Sequence, residues 1–345
     1  MKDKKIFLNR NYLTTIFCMI FCFLISGFHV KAQNNLLTEK TYTYVDCNTK
    51  KETFFTVVVP SNGYLTFQTK EPVDTVYKLY NNSNKLLDST TVTKNSDYKA
   101  TFSVKKGTYR LGTYSAKAAN YSFNYLCSTD MQLDSAKIFN AYPATNKQKI
   151  YYKIKPSKDG YLALSPKNST CFITLCNSRK KSLSSKNYSN PKMKSYKKVV
   201  YGVKKGTTYY LKLQSINCPK LTLKYTYKSV IDKSGSKRSK AYKLKSGKKV
   251  TGLIIANKKT TDWYKFKLRS PKKIKITLTG STNDQFYIQI YNSKGESILY
   301  SAPYVYDANF KRNIISLHAL KKETYYIKIA RGNKKSSGYY NLKFK

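Results

Sequence analysis

Acidic side chains are scarce in this sequence: 17 Asp and Glu stand against 65 Lys and Arg, a formal net charge of +48 over 345 residues. A hard cation such as calcium wants about six or more oxygens, usually from several carboxylates. Asp130 and Asp134 form the closest suggestive pair, and the surrounding positive charge weakens even that one. Histidine is nearly absent, with only His29 and His318. His318 precedes Leu320 by two residues, as Phe102 precedes Val104 and Tyr201 precedes Val203 in related stretches. That spacing predicts an inward-facing strand position for His318, not a general base. No Gly-rich phosphate loop, nucleophile elbow or His/Cys metal-ligand spacing is present. Asp262, just before Trp263, reads as a turn cap and not a metal ligand. The expectation is a non-enzyme with no catalytic residues, metal or cofactor.

Long apolar runs are also missing, apart from Ile16 to Ile25 near the N-terminus. That run is about a dozen residues, short of the roughly 20 a spanning helix needs. Lys2, Lys4, Lys5 and Arg10 precede it, and Val30-Lys31-Ala32 offers a cleavage site before Gln33. Residues 1–32 are therefore expected to be a secretory signal peptide, with an uncleaved anchor as the alternative. Bulky Phe21 makes Cys22 a poor lipid-attachment site. The expected location is extracellular or on the cell surface, with no transmembrane segment after signal cleavage.

What is present is repetition. A strand pair runs from Thr53 through a Pro60-Ser61-Asn62-Gly63 turn to Phe67. It recurs from Ile150 to Leu164 and from Trp263 to Leu278. A second block ends each time in Asn and a polar turn: Val76 to Asn81, Phe172 to Asn177, Tyr287 to Asn292. A third carries a Lys-Lys pair before Thr and Tyr: Val104 to Leu111, Val203 to Leu211, Leu320 to Ile327. A final strand follows at Tyr121, Leu221 and Tyr339. Alternation with period two dominates, which predicts an all-β chain of three tandem jelly-roll-like antiparallel β-sandwich modules. Their expected extents are 33–127, 128–227 and 228–345, with a basic linker over 232–240.

The third module resembles the bacterial pre-peptidase C-terminal domain. The resemblance rests on Asp262-Trp263-Tyr264-Lys265-Phe266, on Phe286 to Gly295, and on Thr324-Tyr325-Tyr326-Ile327-Lys328-Ile329. It covers residues 230–345 directly and the first two modules only through internal similarity. The resemblance implies a non-catalytic jelly-roll sandwich that in some relatives binds insoluble polymers such as collagen. Two departures from the family pattern are read within these 345 residues: no protease domain is expected ahead of the modules, and no acidic cluster matches the calcium-binding linker of some members.

Of seven cysteines, Cys47 and Cys127 sit at opposite ends of the first module, where a bridge would tie its terminal strands. Cys171 and Cys176 point to opposite faces of one strand and cannot pair together. Cys171 shares a face with Ile173 and Leu175 and is expected to be a buried thiol; Cys176 with Cys218 is the candidate pair.

Lysines alternate with apolar residues in Tyr264-Lys265-Phe266-Lys267-Leu268 and in Lys273-Ile274-Lys275-Ile276. In a sandwich this puts ammonium groups outside, a surface that attracts polyanions. AT-rich codons favour Lys but equally favour Glu, which is nearly absent. The expected ligand is an anionic or fibrous extracellular polymer, such as a cell-wall polymer, glycosaminoglycan or collagen. Candidate binding residues are Lys265, Lys267, Lys275, Lys328, Lys334, Lys335 and Trp263. One alternative is an accessory module holding neutral polysaccharide on Trp263 and exposed tyrosines. A calcium-dependent hydrolase is a more remote one. Nucleic acid is disfavoured, because base-stacking motifs are missing and the chain is expected to be secreted.

Overall fold

Alternating apolar residues separated by polar turns produce short strands that bury one face each. The first group comprises β1 (Thr43–Val45), β2 (Thr53–Val59), β3 (Gly63–Thr69) and β4 (Thr75–Tyr80). It continues with β5 (Leu86–Val92), β6 (Lys99–Val104), β7 (Gly107–Ser115) and β8 (Tyr121–Ser128). These make two sheets, ordered β1-β8-β3-β6 and β2-β7-β4-β5. Successive strands cross between the sheets except at the β4–β5 hairpin, which is the jelly-roll winding. The computed structural model describes residues 35–46, 51–133, 138–146, 148–216, 219–257, 261–301 and 309–345. The expected signal segment, Cys47, Asp134 and Cys218 lie outside the described residues.

The same winding occurs twice more. The second group is β9 (Met131–Gln132), β10 (Ile138–Ala141), β11 (Ile150–Ile154), β12 (Gly160–Pro166) and β13 (Cys171–Cys176). It closes with β14 (Asn187–Ser189), β15 (Val199–Val203), β16 (Tyr209–Ser215) and β17 (Leu221–Ser229). Its sheets run β10-β17-β12-β15 and β14-β13-β16-β11-β9. The third group starts with β18 (Tyr242–Lys243), β19 (Lys249–Ile254), β20 (Thr261–Lys267), β21 (Lys275–Thr282) and β22 (Phe286–Tyr291). The remaining strands are β23 (Ser297–Ser301), β24 (Phe310–Ile315), β25 (Thr324–Arg331) and β26 (Gly338–Phe344). They form β19-β26-β21-β24 and β18-β20-β25-β22-β23. Two edges depart from the antiparallel expectation: β9 pairs with β11, and β18 with β20, in parallel.

Each sandwich has its own core. Phe67, Tyr77, Phe102 and Phe123 pack with ring centroids 5.0–6.3 Å apart in the first. Such a side chain contributes about 1.5–3 kcal/mol on burial. Tyrosine serves as a core residue because each buried hydroxyl finds a partner. Tyr77 pairs with Thr69 at 2.7 Å, Tyr121 with Thr113 at 2.8 Å, and Tyr201 donates to the Ile173 carbonyl at 3.1 Å.

The repeated motifs have local causes. Asn81, Asn177 and Asn292 turn their side-chain oxygens onto backbone N–H groups two or four residues ahead, at 2.9–3.0 Å. These Asx turns close the polar loop after the fourth jelly-roll strand. Each such loop then holds a left-handed residue, at Asn84, Lys180 and Gly295. In the Lys-Lys motif, Tyr109 and Tyr325 donate to the carbonyls of Lys105 and Lys321, and Tyr209 accepts from the Lys204 N–H. The motif is a tyrosine folded back onto its own turn.

Residues 232–240, expected as a linker, pack onto the third sandwich. Gly235 exchanges backbone hydrogen bonds with Trp263, and Arg238 donates to the carbonyls of Asn292 and Ser293 at 3.0 and 2.6 Å. The sandwiches also join directly. Tyr64 is buried within the second core and accepts from the Tyr151 N–H at 2.8 Å. Thr101 bridges Pro143, and Asp97 meets Lys220 at 2.7 Å. Between second and third, Ala256 N–H donates to the Gly202 carbonyl at 3.0 Å, and Tyr161 stacks on Tyr339 at 4.0 Å. Leu37–Lys345 is accordingly one compact unit.

A candidate binding face repeated on three sandwiches

In the third sandwich, strand alternation sends Asp262, Tyr264 and Phe266 inward and leaves Thr261, Trp263, Lys265 and Lys267 outward. On β25, Tyr325, Ile327 and Ile329 are buried, while Tyr326 and Lys328 face out. Register forms two cross-strand rows: Trp263 pairs with Lys328, which pairs in turn with Gln289, and Lys265 pairs with Tyr326, which pairs in turn with Tyr291. The Trp263 and Tyr291 rings lie 5.6 Å apart, with Lys328 Nζ 5.9 Å from the indole and the Arg238 guanidinium 4.4 Å from the Tyr326 ring. Cations held over aromatic faces in this way gain electrostatic attraction from the ring quadrupole. The structure thus brings together Trp263, Lys265 and Lys328, with Lys267 at the end of the same strand.

It does not bring the other candidates there. Lys275 is exposed on β21, in the opposite sheet. Lys334 and Lys335 lie exposed on the loop after β25. Sequence reasoning missed Tyr326, Tyr291 and Arg238, whose outward placement depends on register and on docking of 232–240.

The corresponding sheet of the other sandwiches carries an equivalent face. Phe55, Tyr152 and Tyr264 pair with Leu111, Leu211 and Ile327, so Phe54, Tyr151 and Trp263 occupy one outward position. Arg110, Tyr210 and Tyr326 share a second, although Tyr210 is itself buried, at 7% exposure. In the first sandwich the Arg110 guanidinium lies 3.6 Å from the Phe54 ring, with Phe54 and Tyr80 6.0 Å apart. Lys180 Nζ in the second is 5.3 and 5.0 Å from the Tyr151 and Tyr210 rings. Lys186 Nζ lies 3.8 Å from the Phe172 ring.

Several single residues fall differently from expectation. His318 is exposed on the Leu317-His318-Ala319 turn, not inward on a strand. The third sandwich inserts residues there: Ser316 still bonds to Ile274 and Leu320 to Lys272, so the three residues between them bulge out. Ile314, paired with Ile276, takes the inward place held by Phe102 and Tyr201. Asp262 caps no turn. It is fully buried on β20 and accepts from the Tyr340 hydroxyl, which also meets Tyr264 at 2.8 Å. Burial first, then the Asp262 charge, pushes both phenols well above their ordinary pKa. Asp130 serves as an ion-pair hub for Lys153 and Lys180, at 3.8 and 3.4 Å, and accepts from Tyr210.

Cys127 and Cys176 carry free thiols, and their expected partners Cys47 and Cys218 lie outside the described residues. Burial, then the Glu39 charge, pushes the Cys127 thiol up to about 11, which leaves almost no thiolate at neutral pH. Cys171 packs in the second core with Ile173 and Leu175. Among the described residues, no group of three or more His, Cys, Asp or Glu could hold a metal ion. No helix among them is long and apolar enough to cross a membrane.

Residues 260–331 match the family model of the bacterial pre-peptidase C-terminal domain. No curated protein matches the chain. A solved pre-peptidase C-terminal domain of a collagenase from Bacillus anthracis is 18% identical, covering 30% of this chain and 93% of that one, with a TM-score of 0.25. An archaeal virus protein described as a triple jelly roll is 10% identical, covering 87% of this chain and 80% of that one, with a TM-score of 0.21. An isomalto-dextranase from Arthrobacter globiformis is 8% identical, covering 60% of this chain and 34% of that one, with a TM-score of 0.21.

Proposed function

We propose that the chain is a secreted, non-catalytic adhesion protein whose basic jelly-roll faces hold an anionic extracellular polymer at the cell surface. The observation that carries this reading is a cation set over a half-exposed aromatic ring on the same sheet of all three sandwiches: Arg110 over Phe54, Lys180 over Tyr151, and Lys328 over Trp263. Aromatic rings offer flat apolar contact to a polymer repeat, and the lysines and arginines around them supply the attraction. The net charge of +44 that remains without residues 1–32 steers a polyanion toward all three faces. Three weak sites on one compact unit reinforce one another through effective concentration. A match of residues 260–331 to a non-catalytic accessory domain of secreted proteases supports a binding role over an enzymatic one.

The test is retention of the protein on isolated cell walls, immobilised heparin and collagen at low and high salt. Binding is expected to fall by about tenfold or more as ionic strength rises, as it does when charged contacts release counterions. Charge reversal at Lys265 and Lys328 together should weaken it further, and Trp263→Ala should do so without changing the salt response. Retention indifferent to salt but abolished by Trp263→Ala would replace this reading with neutral-polysaccharide binding on the Trp263–Tyr291 pair.

A further inference from the structure

Five lysines wall a single small cavity on the third sandwich. Its volume is about 230 Å³, and Lys233, Lys243, Lys245, Lys248 and Lys249 line it. Ile231, Tyr242 and Val250 form its apolar part. Among the described residues, no carboxylate lines it. The nearest acid along the chain, Asp232, is turned to the backbone, accepting from the Ser234 and Leu253 N–H groups at 2.9 and 3.3 Å. Those bonds hold the segment carrying Ile231 and Lys233 against β19. The turn opposite is fixed equally well: Leu244 N–H donates to the Lys265 carbonyl and Gly247 N–H to the Phe344 carbonyl, both at 2.8 Å. Gly247 has φ of 75°, a conformation that suits glycine.

Like charges gathered round one concavity repel unless an anion sits among them. Among the described residues, ion pairs engage Lys78, Lys153, Lys180 and Lys220, and none of the five cavity lysines. Ammonium groups are compact point donors suited to tetrahedral oxyanions, where arginine would favour planar bidentate partners. The apolar groups at its rim, including the 82% exposed Ile231, give the carbon face of a sugar ring a surface to cover. Lys243 pairs in register with Lys265 across β18 and β20. The cavity therefore continues the outward row Lys265, Tyr326, Tyr291.

We infer that this cavity docks the sulfate or phosphate groups of an extracellular polysaccharide whose chain lies along that row. The inference rests on the adhesion reading above and names the ligand chemistry for one of its faces.

The experiment compares binding of the full chain to dextran, dextran sulfate and dextran phosphate, polymers with one backbone and different substituents. Lys245→Glu with Lys248→Glu is set against Lys105→Glu with Lys106→Glu, which changes the charge equally on an exposed turn of the first sandwich. Thermal unfolding checks that both variants remain folded. The cavity variant should lose about tenfold or more in affinity for a charged dextran, and the control markedly less. The dextran that shows this contrast identifies the substituent. Lysine acetylation of the wild-type complex should show Lys233, Lys243, Lys245, Lys248 and Lys249 protected. Equal losses in both variants, or charged dextran bound while these five lysines react freely, would overturn the cavity and leave adhesion standing. Equal binding of plain dextran would also overturn it. Failure to bind any charged polymer, in this assay and on cell walls, heparin and collagen alike, would remove both proposals.

Discussion

At the scale of single residues, the chain solves its cores with tyrosine, and this has a consequence at high pH. Burial pushes Tyr225 up to about 12, with the neighbouring Tyr227 adding to it. Burial does the same to Tyr142, also about 12, followed by its hydrogen bond to Asp97. Tyr201 and Tyr77 are displaced further upward by complete burial. An unfolded tyrosine ionises near pH 10. The folded state binds these protons more tightly, so their contribution is whole below about pH 10 and is lost as pH rises toward the folded values. Alkaline titration should show part of the phenolate absorbance appearing only together with loss of the β-sheet dichroism, above roughly pH 10. Phenolate formation complete near the ordinary value with the dichroism intact would contradict this account of the cores.

At the scale of strands, the joint between the second and third sandwiches depends on Gly202 of β15. A Cβ there would overlap the Ile254 carbonyl oxygen and crowd that of Gly338. Gly202→Ala should therefore destabilise the protein by about 1–3 kcal/mol, in the range of overpacked contacts, measured by urea unfolding. Gly206, whose Cβ would meet open space but whose φ is 70°, offers a comparison in which the cost of alanine is local and the joint is untouched. Separation of the unfolding transition into two steps in Gly202→Ala, but not in Gly206→Ala, would locate the damage at the joint. The winding itself was legible in the sequence, because period-two alternation and the thrice-repeated Asn and Lys-Lys turns encode strands and their ends. The joints were not. Tyr64 looks like any core tyrosine of the first sandwich, yet its ring completes the second core. His318 was misplaced because an inserted bulge preserves the flanking motif while shifting what precedes it. Part of the candidate face was visible through alternation at Trp263, Lys265 and Lys328. Arg238 and the five-lysine cavity were not, since they depend on a polar stretch that composition marks as a linker and that backbone hydrogen bonds dock on β20.

At the scale of the whole molecule, the same charge that attracts a polyanion works against folding. The compact unit Leu37–Lys345 holds 60 Lys and Arg against 16 Asp and Glu, a net +44, and its repulsion is relieved only locally, as at Asp97 with Lys220 and Glu52 with Lys78. Screening shortens the reach of these charges to about 8 Å at physiological ionic strength and about 3 Å at molar salt. Added salt should therefore raise Tm, by about 2–4 °C for each kcal/mol of repulsion relieved, while it weakens polymer binding. A soluble polyanion at low salt should raise Tm as well, because it binds the folded array of lysines better than the expanded chain. Scanning calorimetry across a salt series, with and without dextran sulfate, separates the two effects. If Tm falls with salt, repulsion is not what limits this fold, and the excess of lysine would have to be explained by sheet-edge protection instead. If dextran sulfate lowers Tm, the polymer prefers the unfolded chain, and a folded cation–aromatic face is not its receptor.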